Sequence, residues 1–372
     1  NIELLTLSEV LSVDGAEGNF TITILQHPRF VDIEKCIACG LCAEKCPKKV
    51  DDVYNEKLIK RKAIYVPYSQ AVPLKYAIDA ENCIYLKKGK CGACEKNCPS
   101  GAINFNDTEK TIALKVGSVI LAPGFKTFDP AGIDNYSYAN LPDVVTSMEF
   151  ERILSATGPY SGHLMRPSSM RGKNPAGKPP QKIAWLQCVG SRDINRCDNG
   201  YCSSVCCMYA VKQAVMSQDH SDAPLECAIF YMDMRTHGKD YEQYYNRAKD
   251  DYGVRMVRSR PHSIVEVSET KDLSITYAME EESKQVIEEF DMVVLSVGLA
   301  PNPDAMALAE RLGVELNHYG HAKTDCLTPV RTNREGIFVC GAFQEPKDIP
   351  PSVMEASAAA AAATGLLADA RW

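Results

Sequence analysis

The chain has 372 residues, of which 45% are apolar and 24% charged, the profile of a globular protein long enough for two domains. Its 41 Lys and Arg against 48 Asp and Glu give a formal charge of −7, which argues against a nucleic-acid binder. No run approaches the roughly eighteen apolar residues of a membrane span, and no charged-then-apolar signal segment opens the chain.

In chain order, Ile2–Thr6 and Phe20–Ile24 alternate in polarity around a Gly-containing turn, which predicts antiparallel β-structure over 1–30. Cysteine then becomes the compositional outlier, with 16 residues, thirteen of them clumped in 36–46, 83–98 and 188–207. A chain of this length without an export signal is not a disulfide scaffold, and thiols clumped at short intervals are what metal ligation needs. Cys36, Cys39, Cys42 and Cys46 form C-x2-C-x2-C-x3-C ahead of Pro47. Cys83, Cys91, Cys94 and Cys98 repeat the pattern ahead of Pro99, with the first gap widened to a loop carrying Lys87, Lys88 and Lys90. This is the spacing of bacterial-type ferredoxins, in which three thiolates bind one [4Fe-4S] cubane and the fourth reaches the other. It predicts one cluster on Cys36, Cys39, Cys42 and Cys98, and a second on Cys83, Cys91, Cys94 and Cys46. The alternative is a pair of zinc knuckles, but zinc sites join two short Cys-x-x-Cys hooks rather than three thiolates in close succession. Such clusters carry single electrons, so 31–109 reads as a relay.

Further along, Thr111–Leu114 and Ser118–Gly124 read as strands, the second buried and ending in Pro123-Gly124. From 182 to 300 strands and helices alternate: Ile183–Leu186, a helix over Ser203–Ser217, Glu226–Asp233, a helix over Lys239–Ala248, Val254–Val257, then hairpins up to Met292–Gly298. That alternation predicts an open parallel sheet. After its first strand a nucleotide-binding fold would show Gly-x-Gly-x-x-Gly, and here the chain reads Gln187-Cys188-Val189-Gly190-Ser191-Arg192-Asp193. Only Gly190 is left of the phosphate cradle. Cys197, Cys202, Cys206 and Cys207 follow, so five thiols crowd a strand end and a helix start, where a helix N-terminus is expected to lower thiol pKa. Spacing alone does not choose four ligands from five, and a buried group with a redox disulfide is the alternative. Gly336–Ala342 is a last strand and turn, followed by an Ala-rich helix over 352–368. Cys227, Cys326 and Cys340 stand apart as core or surface residues.

These features together resemble the two-dinucleotide-domain flavoproteins of the thioredoxin-reductase type and, more closely, the family of A-type flavin subunits of heterodisulfide reductase. The resemblance implies an α/β fold with an inserted bacterial-type 2[4Fe-4S] ferredoxin domain. It divides the chain into an FAD-domain β segment (1–30), the ferredoxin insert (31–109), an FAD-domain continuation (110–180), a second Rossmann-like domain with a cysteine cluster (181–300) and the FAD-domain C-terminal part (301–372). It implies FAD contacts at Pro123, Gly124, Gly298, Thr332, Gly341 and Ala342, the last standing where the family has an acid. It implies a third cubane on Cys188, Cys202, Cys206 and Cys207, with Cys197 a spare or substitute, and Lys212 at the reactive edge of the flavin, where a cation would stabilise its reduced form. It places the FAD phosphate loop ahead of residue 1 and a second ferredoxin-like domain beyond Trp372, on another polypeptide or in a longer form of the chain.

The expected function is electron transfer between FAD and [4Fe-4S] clusters in a heterodisulfide-reductase-like complex, with flavin-based electron bifurcation or confurcation. Expected partners are B- and C-type subunits, a hydrogenase- or formate-dehydrogenase-type donor, ferredoxin and a second copy of the chain, in the cytoplasm. The rivals are a NAD(P)H-dependent flavin oxidoreductase, which the missing phosphate loop disfavours, and a relay protein without flavin.

Overall fold

The computed structural model describes residues 2–171, 176–279 and 284–368. They fall into two compact units, Asn1–Ser118 and Val119–Trp372.

In the first unit, β1 (Ser8–Ala16) and β2 (Asn19–Gln26) form an antiparallel hairpin. The expected strand at Ile2–Thr6 is therefore displaced: those residues have no regular structure, and pairing begins at Ser8. The turn explains the shift. Glu17-Gly18 is a two-residue loop with Gly18 at φ +78°, which sets Ala16 opposite Asn19, and β2 runs out at Gln26 opposite Ser8. The next segment carries three short helices, α1 (Leu41–Lys45), α2 (Ile84–Lys88) and α3 (Ala93–Lys96), before β3 (Lys110–Val116). β3 lies antiparallel on β2 with Lys110 opposite Gln26, so the chain leaves the sheet and returns to it at one edge, the geometry of an insert. The insert has its own small core, Phe30, Val31, Ile64, Ile78 and Ala102 packed with Cys36, Cys42, Cys83 and Cys94.

The second unit opens with β4 (Val119–Leu121), then β5 (Val144–Thr146) and α4 (Ser147–Leu154). A capping box starts α4: Thr146 Oγ1 accepts from the Glu149 amide and the Glu149 carboxylate accepts from the Thr146 amide. There follow β6 (Lys182–Val189), α5 (Cys206–Asp219), β7 (Glu226–Tyr231), α6 (Tyr241–Asp250) and β8 (Arg255–Arg258). β9 (Ser263–Glu266), β10 (Leu273–Met279) and β11 (Lys284–Phe290) make an antiparallel sheet, and β12 (Met292–Val297) returns to the parallel one. The remainder is α7 (Pro303–Leu312), β13 (Ile337–Val339) and α8 (Ile349–Leu366).

The parallel sheet has the order β5-β12-β6-β7-β8, with every pair parallel. Its central strands are buried on both faces, which is why Ile183–Leu186 and Met292–Leu295 read as continuous apolar runs. Strand order reverses between β6 and β12, a topological switch point whose crevice, at the carboxyl ends, is the ordinary ligand position of such sheets. β4 and β13 pair parallel in a separate two-stranded sheet. The helix expected from Ser203 starts at Cys206, and the one expected from 352 starts at Ile349, because Pro350 and Pro351 occupy first-turn positions whose amides need no helical partner. No helix among the described residues is long and apolar enough to cross a membrane.

One buried ion network ties the segment after α4 to the sheets. Arg166, with a side chain 3% exposed, donates to Asp143 (2.9 Å), Asp272 (2.6 Å), Asp291 (3.0 Å) and the Lys271 carbonyl (3.0 Å). Arg166→Met is expected to lower unfolding free energy by about 3–5 kcal/mol, read by denaturant titration, because it strands three carboxylates. Burial alone would raise the Asp272 carboxyl, but the Arg166 and Thr270 bonds and the charges of Arg166 and Lys178 together outweigh it and hold it below the ordinary range. Its contribution is thus present above the unfolded Asp range and lost as pH falls through the folded value.

Candidate cofactor sites

The ferredoxin-spaced thiols come together across the two motifs. One cavity is lined by Cys46, Cys83, Cys91 and Cys94, the four the crossed pattern assigns to one centre. Cys94 feels the charge of Cys83 and Cys46 across the two motifs, and Cys42 feels that of Cys36 and Cys39 ahead of Cys94. Burial, and then like charge on neighbouring thiols, pushes Cys42 up to about 12 and Cys94 up to about 11. Cys98 goes the other way. Burial would raise it, but the Ala102 amide (3.3 Å) and Ser100 hydroxyl (3.6 Å) hold it below its ordinary value. Among the described residues no three His, Cys, Asp or Glu side chains close around a point that could hold one metal ion. Cys46, Cys83, Cys91 and Cys94 line a common cavity, and a cubane takes thiolates at separate corners.

The third group is built at the switch point. Pairing of β6 with β12 slips between Leu186 and Val189, and there Cys188 takes a left-handed φ of +60°, a costly conformation for a non-glycine residue. Cys188 is coupled to Cys207 and Cys202, Cys206 to Cys188, Cys207 and Cys202, and Cys207 to Cys202. The Cys206 thiol donates to the Val297 carbonyl at the end of β12 (3.8 Å) and Cys207 to that of Asp233 (3.9 Å). Cys197 is not among them. It ends the single turn Ile194–Cys197, and the charges around it are those of Asp193, Arg260 and Arg196. The lowered thiol pKa expected of a helix start is reversed: burial pushes Cys188 up to about 11, despite the nearby Arg192, and Cys206 and Cys207 also rise. Desolvation of a buried thiolate outweighs one helix terminus.

Two glycines show how the loop is packed. A Cβ on Gly298 would stand 2.6 Å from Ser203 Oγ, so the cysteine loop lies directly on the end of β12. A Cβ on Gly190 (φ +77°) would stand 2.1 Å from the Phe128 ring, so an aromatic side chain covers the one remaining glycine of the phosphate position. Ser191 Oγ is buried with no partner among the described residues, a hydroxyl free to donate beside Cys188.

Next to this group is a cavity of about 960 Å³, within the size range of cofactor sites. Ser204, Val205, Met208 and Tyr209, which alternate with the cysteines at the start of α5, form part of its wall, with Val297 and Leu299. The Val297 carbonyl accepts from Tyr209 on the cavity side (2.7 Å) as well as from Cys206. Lys212 faces the cavity and pairs with both oxygens of Glu151 on α4 (2.9 and 3.0 Å), and Glu151 also accepts from Gln213 (3.1 Å).

Of the expected FAD contacts, Ala342 lines this cavity, and Gly298 lies between the lining residues Val297 and Leu299. Gly341 (φ +72°) donates its amide to Glu355 (2.8 Å), which also binds the buried Lys347. Pro123 and Gly124 follow β4 and do not line it, and Thr332 bonds the Arg334 and Ile337 carbonyls in the turn entering β13. Glu151, Lys347 and Asp348 are further wall residues, and no sequence motif marks them as such. Asp348 Oδ2 accepts from Tyr241 (3.1 Å), while its Oδ1 is buried and without a partner among the described residues.

The pyridine nucleotide-disulphide oxidoreductase family profile matches residues 75–363, and a 4Fe-4S dicluster domain matches 35–102. The chain is 44% identical over 97% of its length to the A-type iron-sulfur subunit of the CoB–CoM heterodisulfide reductase of Methanocaldococcus jannaschii, covering 53% of that protein. It is 45% identical over 99% of its length to one of the two corresponding A-type subunits of Methanopyrus kandleri, covering 54%. The chain thus spans about half the length of the curated relatives it matches. Among solved structures, Lactococcus lactis thioredoxin reductase is 16% identical at a TM-score of 0.43, over 82% of this chain and 86% of that one. The chain belongs to the pyridine nucleotide-disulphide oxidoreductase family, in the form found in the A-type subunits of heterodisulfide reductase, an α/β flavoprotein oxidoreductase carrying a 4Fe-4S dicluster domain.

Proposed function

We propose that the chain is the FAD and iron–sulfur electron-transfer part of a heterodisulfide-reductase-like complex, and that electrons pass between the 960 Å³ cavity and a third cubane on Cys188, Cys202, Cys206 and Cys207. FAD exchanges electrons in pairs or singly and the clusters exchange them singly, which is the chemistry bifurcation or confurcation requires. The observation that carries this reading is the shared wall: the residues interleaved with the cysteines at the start of α5 line the cavity, and Val297 is bonded from both sides.

In this reading Cys36, Cys39, Cys42 and Cys98 hold one ferredoxin cluster and Cys46, Cys83, Cys91 and Cys94 the other. The free Ser191 hydroxyl would donate to cluster sulfur, and the unpartnered Asp348 oxygen would accept from a ribityl hydroxyl, replacing the carboxylate that Ala342 lacks. Lys212 and Glu151 set the charge at the cavity wall. Phe128 over Gly190, with a single glycine at the strand end, supports electron wiring in place of nicotinamide. The partners that go with this function are B- and C-type subunits, a hydrogenase- or formate-dehydrogenase-type donor, ferredoxin and a second copy. A cytoplasmic setting suits sixteen free thiols.

The test is iron, acid-labile sulfide and flavin per chain after anaerobic purification. About twelve irons with one flavin, and no NAD(P)H oxidation, is the expected result. About eight irons would remove the third cluster, and absence of flavin would leave a relay.

A further inference from the structure

The two predicted ferredoxin clusters reach solvent through rims of different chemistry. Close in sequence to the exposed Cys39 are Ile33, Ile37 and Leu41, 38%, 66% and 39% exposed, an apolar set. Beside the exposed Cys91 the side chains are cationic. Lys87 and Lys88 end α2, where Gly89 turns the chain with a left-handed φ of +65°, and Lys90 precedes Cys91 directly. Lys48 lines the same cavity as Cys46 and Cys91, with Lys49 next to it in the chain.

None of these five lysines takes part in an ion pair among the described residues, whereas Lys35, Lys45 and Lys60 nearby are each within 3.4 Å of a carboxylate. Of the carboxylates closest in sequence, Glu44 pairs with Lys45, Asp51 pairs with Lys60 and Asp52 is buried, which leaves Glu81 and Glu95. A cationic rim in a chain of net charge −7 is a local feature, and three of its lysines lie in the segment 84–90 that widens the second motif, which the sequence suggests is a loop and which folds as α2 with its Gly89 turn.

Lasting protein–protein interfaces have apolar cores, while short-lived electron-transfer contacts are small and steered by charge. We propose that the lysine rim around Cys91 is the docking surface for a diffusing, acidic one-electron carrier protein. This deepens the function proposed above and rests on its assignment of Cys46, Cys83, Cys91 and Cys94 to one cluster. In the exchange one electron leaves the reduced carrier and enters that cluster, or the reverse; no bond is made or broken and no proton moves.

The test is stopped-flow mixing of the anaerobically purified complex with a dithionite-reduced, acidic 2[4Fe-4S] ferredoxin. The triple variant Lys87→Glu, Lys88→Glu, Lys90→Glu is expected to slow the second-order phase about ten- to hundredfold at low salt. The difference should shrink at roughly 0.5 M salt, where charges are screened within a few ångströms. Lys→Gln at the same three positions should give a smaller loss in the same direction. A full iron count with less than a twofold change in both variants would overturn the docking surface and leave the cluster assignment standing. A wild-type chain short of about four irons, with no signal from the second ferredoxin cluster, would overturn the assignment itself.

Discussion

Replacing Cys206 with serine is expected to take iron from about twelve to about eight per chain and to leave the flavin bound. Cys188→Ser and Cys202→Ser should do the same, and Cys197→Ser should leave the iron content unchanged. The contrast follows from placement. Cys188, Cys202, Cys206 and Cys207 influence one another's charge at the crevice between β6 and β12, while the charges acting on Cys197 are those of Asp193, Arg260 and Arg196. A serine at 206 keeps a hydroxyl where the thiol meets the Val297 carbonyl, so the fold should persist and the loss can be assigned to ligation. The measurements are iron and sulfide analysis together with electron paramagnetic resonance of the dithionite-reduced protein. Retention of about twelve irons in Cys206→Ser, or a drop in Cys197→Ser, would remove the third cluster as assigned.

What could be read from the amino-acid order was what depends on local spacing. The ferredoxin motifs, the apolar strands 183–186 and 292–297 and the Ala-rich helix are of that kind. Selection of four thiols from five was not, because the separation between Cys188 and Cys202 covers a turn and a loop whose path is set by tertiary contacts, among them Gly298 against Ser203 and the Tyr201 hydroxyl on the Leu299 carbonyl. Glu151 escaped for a similar reason: its role is set by Lys212, 61 residues further on. A signal for its helix was nevertheless present in Thr146-Ser147-Met148-Glu149, a capping-box pattern. The direction of the thiol pKa shifts was misjudged because a helix terminus is visible in sequence and burial is not. Ala342 implies a missing carboxylate, and Asp348, six residues later on the same cavity, is proposed in its place on the strength of an oxygen that only the structure shows to be without a partner among the described residues.

Lys212→Met is expected to lower the flavin midpoint potential, and Glu151→Gln to raise it. Both residues line the cavity and neutralise each other across 2.9 Å, so removing either leaves the other's charge facing whatever the cavity holds. A single charge at contact distance is worth about 4 kcal/mol at an effective dielectric of about 20. Lys212 is 45% exposed and Glu151 32%, and solvent screening reduces this to about 1–2 kcal/mol. For a two-electron couple that is roughly 20–40 mV in opposite directions. A purely structural role predicts otherwise: with the α4–α5 tie broken, both variants would lose flavin or shift the same way. The measurement is a spectroscopic redox titration of flavin absorbance, with the double variant closing the cycle near the wild-type value. Opposite shifts that cancel in the double variant would make the pair a tuner of the flavin's charge. Shifts of one sign, or none, would reduce Lys212 to a helix tie and move the search for the group that sets the potential to Lys347, a buried cation on the cavity wall.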